Sequence, residues 1–367
     1  MKYKKIVYYW LISGLVMLFF QVMIGGITRL TESGLSITKW EVVSGTLPPL
    51  NENAWEEAFE LYKQTPQYKE VNEGISMEDF KFIYFWEYIH RLWARLMGFV
   101  FIIPFFIFYF KGFLDKWLVR RLAVLVGLAA LAAAFGWIMV ASGLIDRPWV
   151  NAYKLSVHLL LAFSVIAHLW WTILSVRFGN SPSFSNYNTN TYLKPVFLYS
   201  FVSVLVFQIF LGGMMSGMKV AVIYPTWPDM HGTFLPDVLL DGDSWKVENF
   251  IFYDTNTFLP ALIHFLHRNT AYIVLASGLF IVYRLIKTES IRKRDYQNNI
   301  SGYSGAIFLG SSLLIQMLLG ILTVLYSIGK VPVILGVMHQ SVALIVFIIT
   351  LYIIFAQTKL FGKEFLS

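Results

Sequence analysis

The sequence predicts an all-α integral membrane protein with eight transmembrane helices. Its 367 residues are 57% hydrophobic and 17% aromatic, and the mean hydropathy is +0.61, whereas a soluble domain is about 45–50% apolar. Only 14% of the residues are charged. These cluster between apolar runs long enough to cross a bilayer, which takes about 20 residues. The predicted spans are residues 7–27, 82–110, 120–141, 155–176, 195–216, 258–286, 304–327 and 333–356.

The charged loops predict the orientation of these spans. Basic residues precede span one, separate spans two and three and spans four and five, and follow span six. Acidic residues concentrate in two long loops on the other side, residues 28–81 and 217–257, which we expect to act as lids over a site. Because Lys and Arg favour the cytoplasmic side, we expect both termini in the cytoplasm and a location in the inner cell membrane. The net charge of +7 then reflects the cytoplasmic loops and not a nucleic-acid partner.

Four landmarks recur in the same order in the two halves of the chain, which predicts an internal repeat. Residues 20–26 (FQVMIGG) are echoed by 207–213 (FQIFLGG), 46–49 by 233–236, 90–91 (HR) by 267–268 (HR), and 157–159 by 338–340. Each unit holds four spans, so the two four-helix bundles cross the membrane in the same sense, related by a pseudo-two-fold axis along the membrane normal. The predicted divisions are an N-terminal half, residues 1–176, a cytoplasmic linker, residues 177–194, and a C-terminal half, residues 195–367.

Histidine is the main candidate metal ligand, because the chain contains no cysteine. Under the repeat, four of the seven histidines form two pairs, His90 with His158 and His267 with His339. All four fall in the first turns of helices that run from outside to inside, and therefore reach similar depths at about 1.5 Å of rise per residue. Facing histidines in a four-helix unit can supply both axial ligands of one haem iron. A lone membrane histidine more often hydrogen-bonds between helices, but four at matched depths favour haem, and zinc would lack ligands.

Charged residues beside these histidines complete the predicted sites. Glu87 precedes His90 by three residues, so the two share a helix face, and an ionisable group at membrane depth indicates function. Arg91 and Arg95 on span two and Arg268 on span six are expected either to pair with anionic haem propionates or to extend toward the lipid head groups.

The remaining histidines are less informative. His264 stands three residues before His267, in the place that Glu87 holds in the first half. This difference suggests that one half carries out chemistry and the other supplies electrons. His168 is expected to be a packing or interfacial residue, and the role of His231 in an outer loop stays open.

Several blocks of the chain together resemble one known family. They are residues 25–36 (GGITRLTESGLS), Trp40, residues 45–49 (GTLPP), residues 87–91 (EYIHR), His267-Arg268 and His339-Gln340. Over nearly its whole length the chain resembles the haem A synthase family, in the branch shared by proteobacteria-like bacteria and mitochondria. Another branch carries a cysteine pair in the first outer loop. Because this chain has none, a thiol-based step is excluded.

The resemblance implies an oxidoreductase of haem A biosynthesis, which oxidises the C8 methyl group of haem O to a formyl group through a hydroxymethyl intermediate. By position, His90 and His158 would bind the substrate haem, with Glu87 as the catalytic carboxylate, and His267 and His339 would ligate an electron-passing haem b. Whether both substrate-site histidines ligate iron at once stays open, as does the source of the oxygen. Expected partners are the lipid bilayer, haem O, a haem O synthase, cytochrome oxidase assembly proteins, an electron donor and a second copy of the chain.

Two other functions explain part of the pattern. A dihaem b-type cytochrome that transfers electrons between quinol and a partner would use the same four histidines. It would not account for Glu87 or for the first-loop block. A transporter with a histidine proton relay would be colourless and would contain broken helices at mid-membrane. Identifying the extracted haems separates these functions.

Overall fold

The fold is a bundle of long helices in a computed structural model, which describes residues 3–38, 47–145, 147–179, 195–292 and 302–361. Within those ranges, eight helices are long and apolar enough to cross a membrane, which confirms the predicted spans and the all-α fold class. In chain order the helices are α1 (Lys5–Leu30), α2 (Glu52–Lys63), α3 (Pro66–Glu70), α4 (Met77–Phe110), α5 (Lys116–Gly143), α6 (Ala152–Phe178), α7 (Pro195–Gly217), α8 (Val220–Ile223), α9 (Val247–Ile251), α10 (Phe258–Arg292), α11 (Gly302–Leu325) and α12 (Val333–Phe361). Most of the predicted linker 177–194 lies outside the described residues, as do Trp40 and residues 45–46 of the first-loop block.

The helices that carry the first histidine pair begin at polar caps. The Ser76 hydroxyl accepts a hydrogen bond from the backbone N–H of Asp79 at the start of α4. The Asn151 side chain accepts from the N–H groups of Tyr153 and Lys154 at the start of α6. Such caps satisfy N–H groups that a helix leaves unpaired, and each stabilises it by about 1 kcal/mol. They fix where each helix begins, and therefore the depth of the histidines that follow.

Of the eight long helices, α1, α6, α7 and α12 form the centre of the bundle. The other four, α4, α5, α10 and α11, lie outside them. α1 packs against α4, α6 and α12, while α7 packs against α10, α6 and α12. The most deeply buried helix is α6, in which half of the most apolar stretch is buried. One continuous apolar core joins the two predicted halves, with Phe163 of α6, Phe201 of α7 and Phe347 of α12 all buried in it. Between membrane helices such side chains stabilise the contact through van der Waals packing.

Polar contacts also cross between α1 and the end of α7. The Arg29 guanidinium donates to the carbonyl oxygens of Ser216, at 2.6 Å, and Gly217, at 3.1 Å. Lys219 forms an ion pair with Glu32 at 2.5 Å. Both members of that pair have left-handed backbone angles, φ 59° at Glu32 and φ 53° at Lys219. Their residue numbers differ by 187 (219 − 32 = 187). The two repeated FQ–GG blocks have the same offset in sequence.

The two long loops that the sequence predicts on the outer side pack onto the starts of the histidine-bearing helices. In the first loop, Phe59 and Tyr62 of α2 stack on Phe80 of α4 with ring centroids 4.8 and 5.2 Å apart. The second loop reaches the start of α6, where the Tyr253 hydroxyl accepts from the backbone N–H of Ala152 at 2.9 Å. Each of these two loops thus covers a helix end from which one of the predicted ligands projects.

Candidate functional site

The second histidine pair lies between facing helices of the C-terminal half. The imidazole centroids of His267, on α10, and His339, on α12, are 6.5 Å apart, with the ring planes inclined at 68°. A metal-bound imidazole nitrogen lies about 2 Å from the metal and the ring centroid about 1 Å further, so two imidazoles on opposite sides of one metal have centroids about 6 Å apart. The observed spacing therefore fits a single iron held between the two rings.

A backbone carbonyl fixes the tautomer of one histidine in each half. His158 Nδ1–H donates to the carbonyl oxygen of Ala132 at 3.0 Å, and His339 Nδ1–H donates to that of Gln316 at 3.1 Å. Since the carbonyl can only accept, the proton sits on Nδ1 and the lone pair remains on Nε2. Metal-bound histidines ordinarily make this bond from their other ring nitrogen. Both residues are thus prepared to bind iron through Nε2.

Each of the four histidines lies against a glycine of a neighbouring helix. A Cβ atom built on Gly25, Gly136, Gly212 or Gly320 would lie 3.0, 2.9, 3.4 or 2.9 Å from Cε1 of His90, His158, His267 or His339 respectively. Ordinary carbon contacts are about 3.5–4.0 Å, so a side chain at Gly25, Gly136 or Gly320 would displace the imidazole, whereas one at Gly212 would only just touch it. At the first three positions glycine is therefore required for close approach of the histidine to the adjacent helix.

Buried glutamine amides accompany three of the histidines. Gln21 Nε2 lies 3.2 Å from Nδ1 of His90, and Gln208 Nε2 donates to the backbone carbonyl of His267 at 3.0 Å. Gln316 Nε2 lies 3.2 Å from both ring nitrogens of His339. The histidine pairs are therefore set in polar surroundings inside an otherwise apolar bundle, where polar groups orient their neighbours strongly.

The first histidine pair is assembled from the corresponding helices. His90 of α4 faces Gly25 of α1, and His158 of α6 faces Gly136 of α5. The helices that carry and face this pair, α1, α4, α5 and α6, hold the same positions in the chain order as α7, α10, α11 and α12 do around the second pair.

Glu87 is buried one turn before His90, and it holds the first outer loop. One carboxylate oxygen accepts from the hydroxyl of Ser36 and from the backbone N–H of Ile37, both at 2.8 Å. The other oxygen pairs with Arg91 at 2.5 Å, and Arg91 also donates to the Ile37 carbonyl at 3.3 Å. Breaking a buried ion pair by removing one partner costs about 3–5 kcal/mol, so this network ties the loop firmly to the histidine-bearing helix.

Arg268, next to His267, holds the second outer loop in a similar way. Its guanidinium donates to the carbonyl oxygens of Pro228 at 2.6 Å and Phe234 at 3.0 Å, and it lies over the Phe234 ring at 5.1 Å. In both halves the arginine that follows the histidine therefore contacts loop backbone. Arg95 is partly exposed on α4, one turn beyond Arg91. The pairing of these arginines with propionates stays a prediction.

The other histidines occupy different settings. His264 is buried and its Nδ1 has no hydrogen-bond partner within the described part of the chain. Its ring lies 6.0 Å from that of Tyr224, which is 5.4 Å from that of His231 in the outer loop, and burial raises the pKa of the Tyr224 phenol. His168 donates from Nε2 to the carbonyl of Arg121 at 2.9 Å, so it links α6 to α5.

Sequence reasoning identified the histidines but missed what surrounds them. The paired glycines and glutamines of α1 and α7 were visible in the repeated FQ–GG blocks, although their contact with the histidines was not. Gly136 and Gly320 gave no sequence signal, because they belong to helices rich in small residues. The contact of Ser36 with Glu87 depends on the path of a loop, which spacing alone does not predict.

Comparisons with known proteins agree on one family. The sequence model of the COX15-CtaA family, described as cytochrome oxidase assembly protein, matches residues 8–351. The chain is 36% identical over 364 residues to heme A synthase of Flavobacterium psychrophilum, covering 98% of this chain and 100% of the relative. It is 37% identical over 345 residues to heme A synthase of Flavobacterium johnsoniae, covering 93% and 95%. It is 37% identical over 349 residues to heme A synthase of Bradyrhizobium diazoefficiens, covering 93% and 89%.

Proposed function

The chain belongs to the haem A synthase family of oxidoreductases, and from that premise we propose that it oxidises the C8 methyl group of haem O to a formyl group through a hydroxymethyl intermediate. The N-terminal half binds the substrate between His90 and His158. The observation that carries this proposal is the recurrence of a histidine pair, each member against a glycine, in both halves. One pair is available to the substrate and the other to a resident haem.

Matched contacts support the predicted tandem arrangement of the two halves. Corresponding glycines that face the histidines are separated in sequence by similar numbers of residues, 187 for Gly25 and Gly212 (212 − 25 = 187) and 184 for Gly136 and Gly320 (320 − 136 = 184). The carbonyls that fix the His158 and His339 tautomers also differ by 184 residues (316 − 132 = 184). Unequal loops account for the small spread in these offsets. The same internal contacts, repeated on successive helices, are what a duplicated four-helix unit produces.

We assign the C-terminal pair to haem b. When bound, a haem supplies one-electron redox chemistry, and here it would exchange electrons with the substrate site. The residues that would hold it are His267 and His339, with the Gln316 carbonyl that orients His339 and the Gly212 and Gly320 surfaces that let both rings approach. His264 replaces the carboxylate of the first half, so the two sites differ in the group that precedes their first histidine.

Glu87 is the proton acceptor in this proposal, because it is a buried carboxylate on the helix that carries His90. Oxidation of a methyl group to a formyl group replaces two hydrogens of the carbon by one oxygen atom and removes four electrons. A redox cofactor must take the electrons, and a base within reach of the carbon takes up protons in both stages. Ser36 and Ile37 orient one carboxylate oxygen and Arg91 the other. The same bonds also allow a purely positioning role, in which Glu87 holds the loop over the substrate.

Two variants separate the catalytic role from the positioning role. Glu87→Gln keeps an oxygen that can accept from Ser36 and Ile37 but removes the base, whereas Ser36→Ala weakens the loop contact and leaves the base. We expect Glu87→Gln to abolish conversion with substrate still bound, and Ser36→Ala to keep most of the turnover. Turnover should be measured as haem O consumed per purified protein. Equal losses in the two variants would assign Glu87 to positioning alone.

Co-expression with a haem O synthase, in a host that makes no haem A, tests the function as a whole. We expect the haems extracted from the purified protein to include haem b, haem O, its hydroxylated form and haem A. Haem b alone, with no haem A in the membranes, would assign the protein to the alternative function, a dihaem electron carrier between quinol and a partner.

The membrane setting follows from the same proposal. The chain is a multi-pass membrane protein, and we place it in the inner cell membrane with both termini in the cytoplasm. Haem O is lipophilic, so a haem O synthase and an electron donor in the same membrane are the expected partners, and the cytochrome oxidase under assembly is the expected recipient. Reporter fusions at the two ends, active only on the cytoplasmic side, check the orientation.

A further inference from the structure

The two helix hairpins that follow α1 and α7 pack differently. In the C-terminal half, α10 and α11 pack closely against each other. A Cβ atom on Gly278 of α10 would clash with Leu313 of α11, and one on Gly310 of α11 would lie 3.6 Å from Val282 of α10. Glycine at such positions lets two helices approach closely in a membrane. This side of the C-terminal bundle is therefore closed.

The corresponding hairpin of the N-terminal half is open. α4 and α5 are both described in full, and they share no packed helix face. Only 6% of the most apolar stretch of each is buried, against 28% for each of α10 and α11. A Cβ atom on Gly98 of α4 or on Gly127 of α5 would meet nothing within 4 Å. By the offset of 184, Ala129 is the counterpart of Leu313 (313 − 129 = 184), and it is exposed where Leu313 is buried.

Each wall of this opening is fixed to a central helix. The indole N–H groups of Trp10 and Trp93 donate across the contact between α1 and α4, to the carbonyls of Val100 and Met17 at 3.0 and 2.9 Å. On the other wall, Arg121 of α5 donates to the hydroxyl of Thr172 of α6 at 3.0 Å. The separation of α4 from α5 is therefore built into the fold by bonds to α1 and α6.

The opening leads from the first histidine pair toward the short turn between α4 and α5. His90 lies 20 residues before the end of α4 (110 − 90 = 20), and Gly136, which faces His158, lies 20 residues after the start of α5 (136 − 116 = 20). At 1.5 Å per residue each of these helix stretches is about 30 Å long, and the opening occupies the part nearer the histidines. From the turn up to Leu125 of α5, the space is filled by a buried apolar cluster that includes Phe108, Leu118, Leu122 and Leu125, with Phe101 of α4 packed against it. The open part therefore covers the 11 residues between Leu125 and Gly136 (136 − 125 = 11), about 16 Å at 1.5 Å per residue.

The walls of the opening are apolar along this length. No charged residue occurs in residues 96–110 of α4 or in residues 122–143 of α5. The exposed surface of α5 carries small residues, among them Gly127, Ala129, Ala130, Ala133 and Ala134, alongside larger apolar side chains such as Val126 and Trp137. A surface of this kind offers no partner to a polar group and leaves space for a flexible hydrocarbon chain. An isoprenoid chain matches it in length and chemistry.

We propose that the opening between α4 and α5 is a lateral entrance from the bilayer, and that the isoprenoid tail of haem O lies in it while His90 and His158 hold the iron. This inference rests on the proposed function, since it names where that function's substrate enters and how its tail is recognised. The closed contact between α10 and α11 explains why the other histidine pair retains a haem without exchange. The tail distinguishes haem O from haem B, so the opening also selects the substrate.

A substitution that fills the opening tests the placement of the tail. Ala129→Trp places a large ring between α4 and α5, while Leu314→Trp places one on an exposed, lipid-facing position of α11 and serves as the matched control. Haem O and haem B, which lacks the tail, are titrated separately into the full-length protein, and binding at the first site is followed by its visible spectrum. We expect Ala129→Trp to weaken haem O binding at least tenfold, with haem B binding and the bound haem b unchanged.

The outcomes of the titration are distinct. Unchanged haem O affinity, or equal losses for haem O and haem B, would overturn the placement of the tail. A change of oligomeric state in Ala129→Trp, with haem O affinity kept, would also overturn it, because a second copy would then cover this face. If wild-type protein binds haem O tightly but forms no haem A on co-expression, the proposed function fails while this site stands.

A second experiment tests the entrance without filling it, and it uses the absence of native cysteines. Phe105→Cys with Val126→Cys places one thiol on each wall, and Val282→Cys with Gly310→Cys places two across the closed contact of the other half. A short bismaleimide that links the first pair should slow haem O conversion at least tenfold without loss of haem b, and linking the second pair should not. Full conversion by the linked first pair would show that substrate does not pass between α4 and α5.

Discussion

The glycines that face the histidines allow a sharp test of the ligand geometry, because the same substitution is expected to act differently at two positions of one site. A Cβ atom on Gly320 lies 2.9 Å from Cε1 of His339, and one on Gly212 lies 3.4 Å from Cε1 of His267. Since carbon atoms in contact prefer about 3.5–4.0 Å, Gly320→Ala must move its imidazole by about 0.6 Å or more, and Gly212→Ala by about 0.1 Å.

The size of the effect follows from this displacement. Inserting a methyl group into a packed site costs about 1–3 kcal/mol, and a tenfold change in affinity corresponds to about 1.4 kcal/mol. We therefore expect Gly320→Ala to weaken haem b retention about 5- to 140-fold, and Gly212→Ala to weaken it less than about threefold. Alanine favours a helix over glycine by about 1 kcal/mol, so neither substitution should destabilise the helix itself.

Haem b retention is measured as haem per protein after incubation with an excess of a haem-scavenging apoprotein, together with the low-spin visible spectrum. Gly320→Ala should lose haem and low-spin character, while Gly212→Ala should resemble wild type. Equal retention by the two variants, or a greater loss in Gly212→Ala, would refute the contact geometry and the ligand assignment that depends on it.

Three further substitutions test the contacts around the sites. Arg268→Ala removes two charge-assisted bonds to the second outer loop, each contributing about 1.5–3 kcal/mol, so limited proteolysis should cut that loop much faster than in wild type; an unchanged rate would mean that Arg268 does not hold it. Gln340→Leu removes the 2.8 Å hydrogen bond to the Val22 carbonyl of α1. It should lower the free energy of unfolding by about 1 kcal/mol and leave both haem sites intact. Loss of either haem would show that Gln340 belongs to a haem site. Lys219→Met breaks the pair with Glu32, whose two side chains are 35% and 34% exposed, and should change thermal stability by less than about 1 kcal/mol; a larger loss would give this contact between halves a stronger role.

Features that repeat along the chain were predictable from the sequence. Eight apolar runs predicted eight helices because span length is set by the thickness of the bilayer. The pairing of His90 with His158, and of His267 with His339, followed from depth, since a residue's distance from its helix start gives its level in the membrane. In the C-terminal half the structure brings the predicted pair to 6.5 Å between ring centroids.

Features that depend on helix rotation and packing were not predictable. Whether Gly136 faces His158 is set by the rotation of α5, and its sequence is too uniform in small residues to fix that rotation. The separation of α4 from α5 depends on hydrogen bonds that tie α4 to α1, such as that of Trp93, and α5 to α6, such as that of Arg121. An apolar run in the sequence does not show which helix it will bond to. Glu87 was expected beside the substrate from its spacing to His90, and its bonds to the first loop became visible only in the structure.

The most direct measurement of the central claim is the haem content of two double variants co-expressed with a haem O synthase. His267→Ala with His339→Ala should lose haem b and retain haem O that is not converted. His90→Ala with His158→Ala should keep one haem b and bind no haem O. Haem A formed by the first variant, or haem b lost from the second with haem O still bound, would contradict the division of the protein into a substrate half and an electron-supplying half.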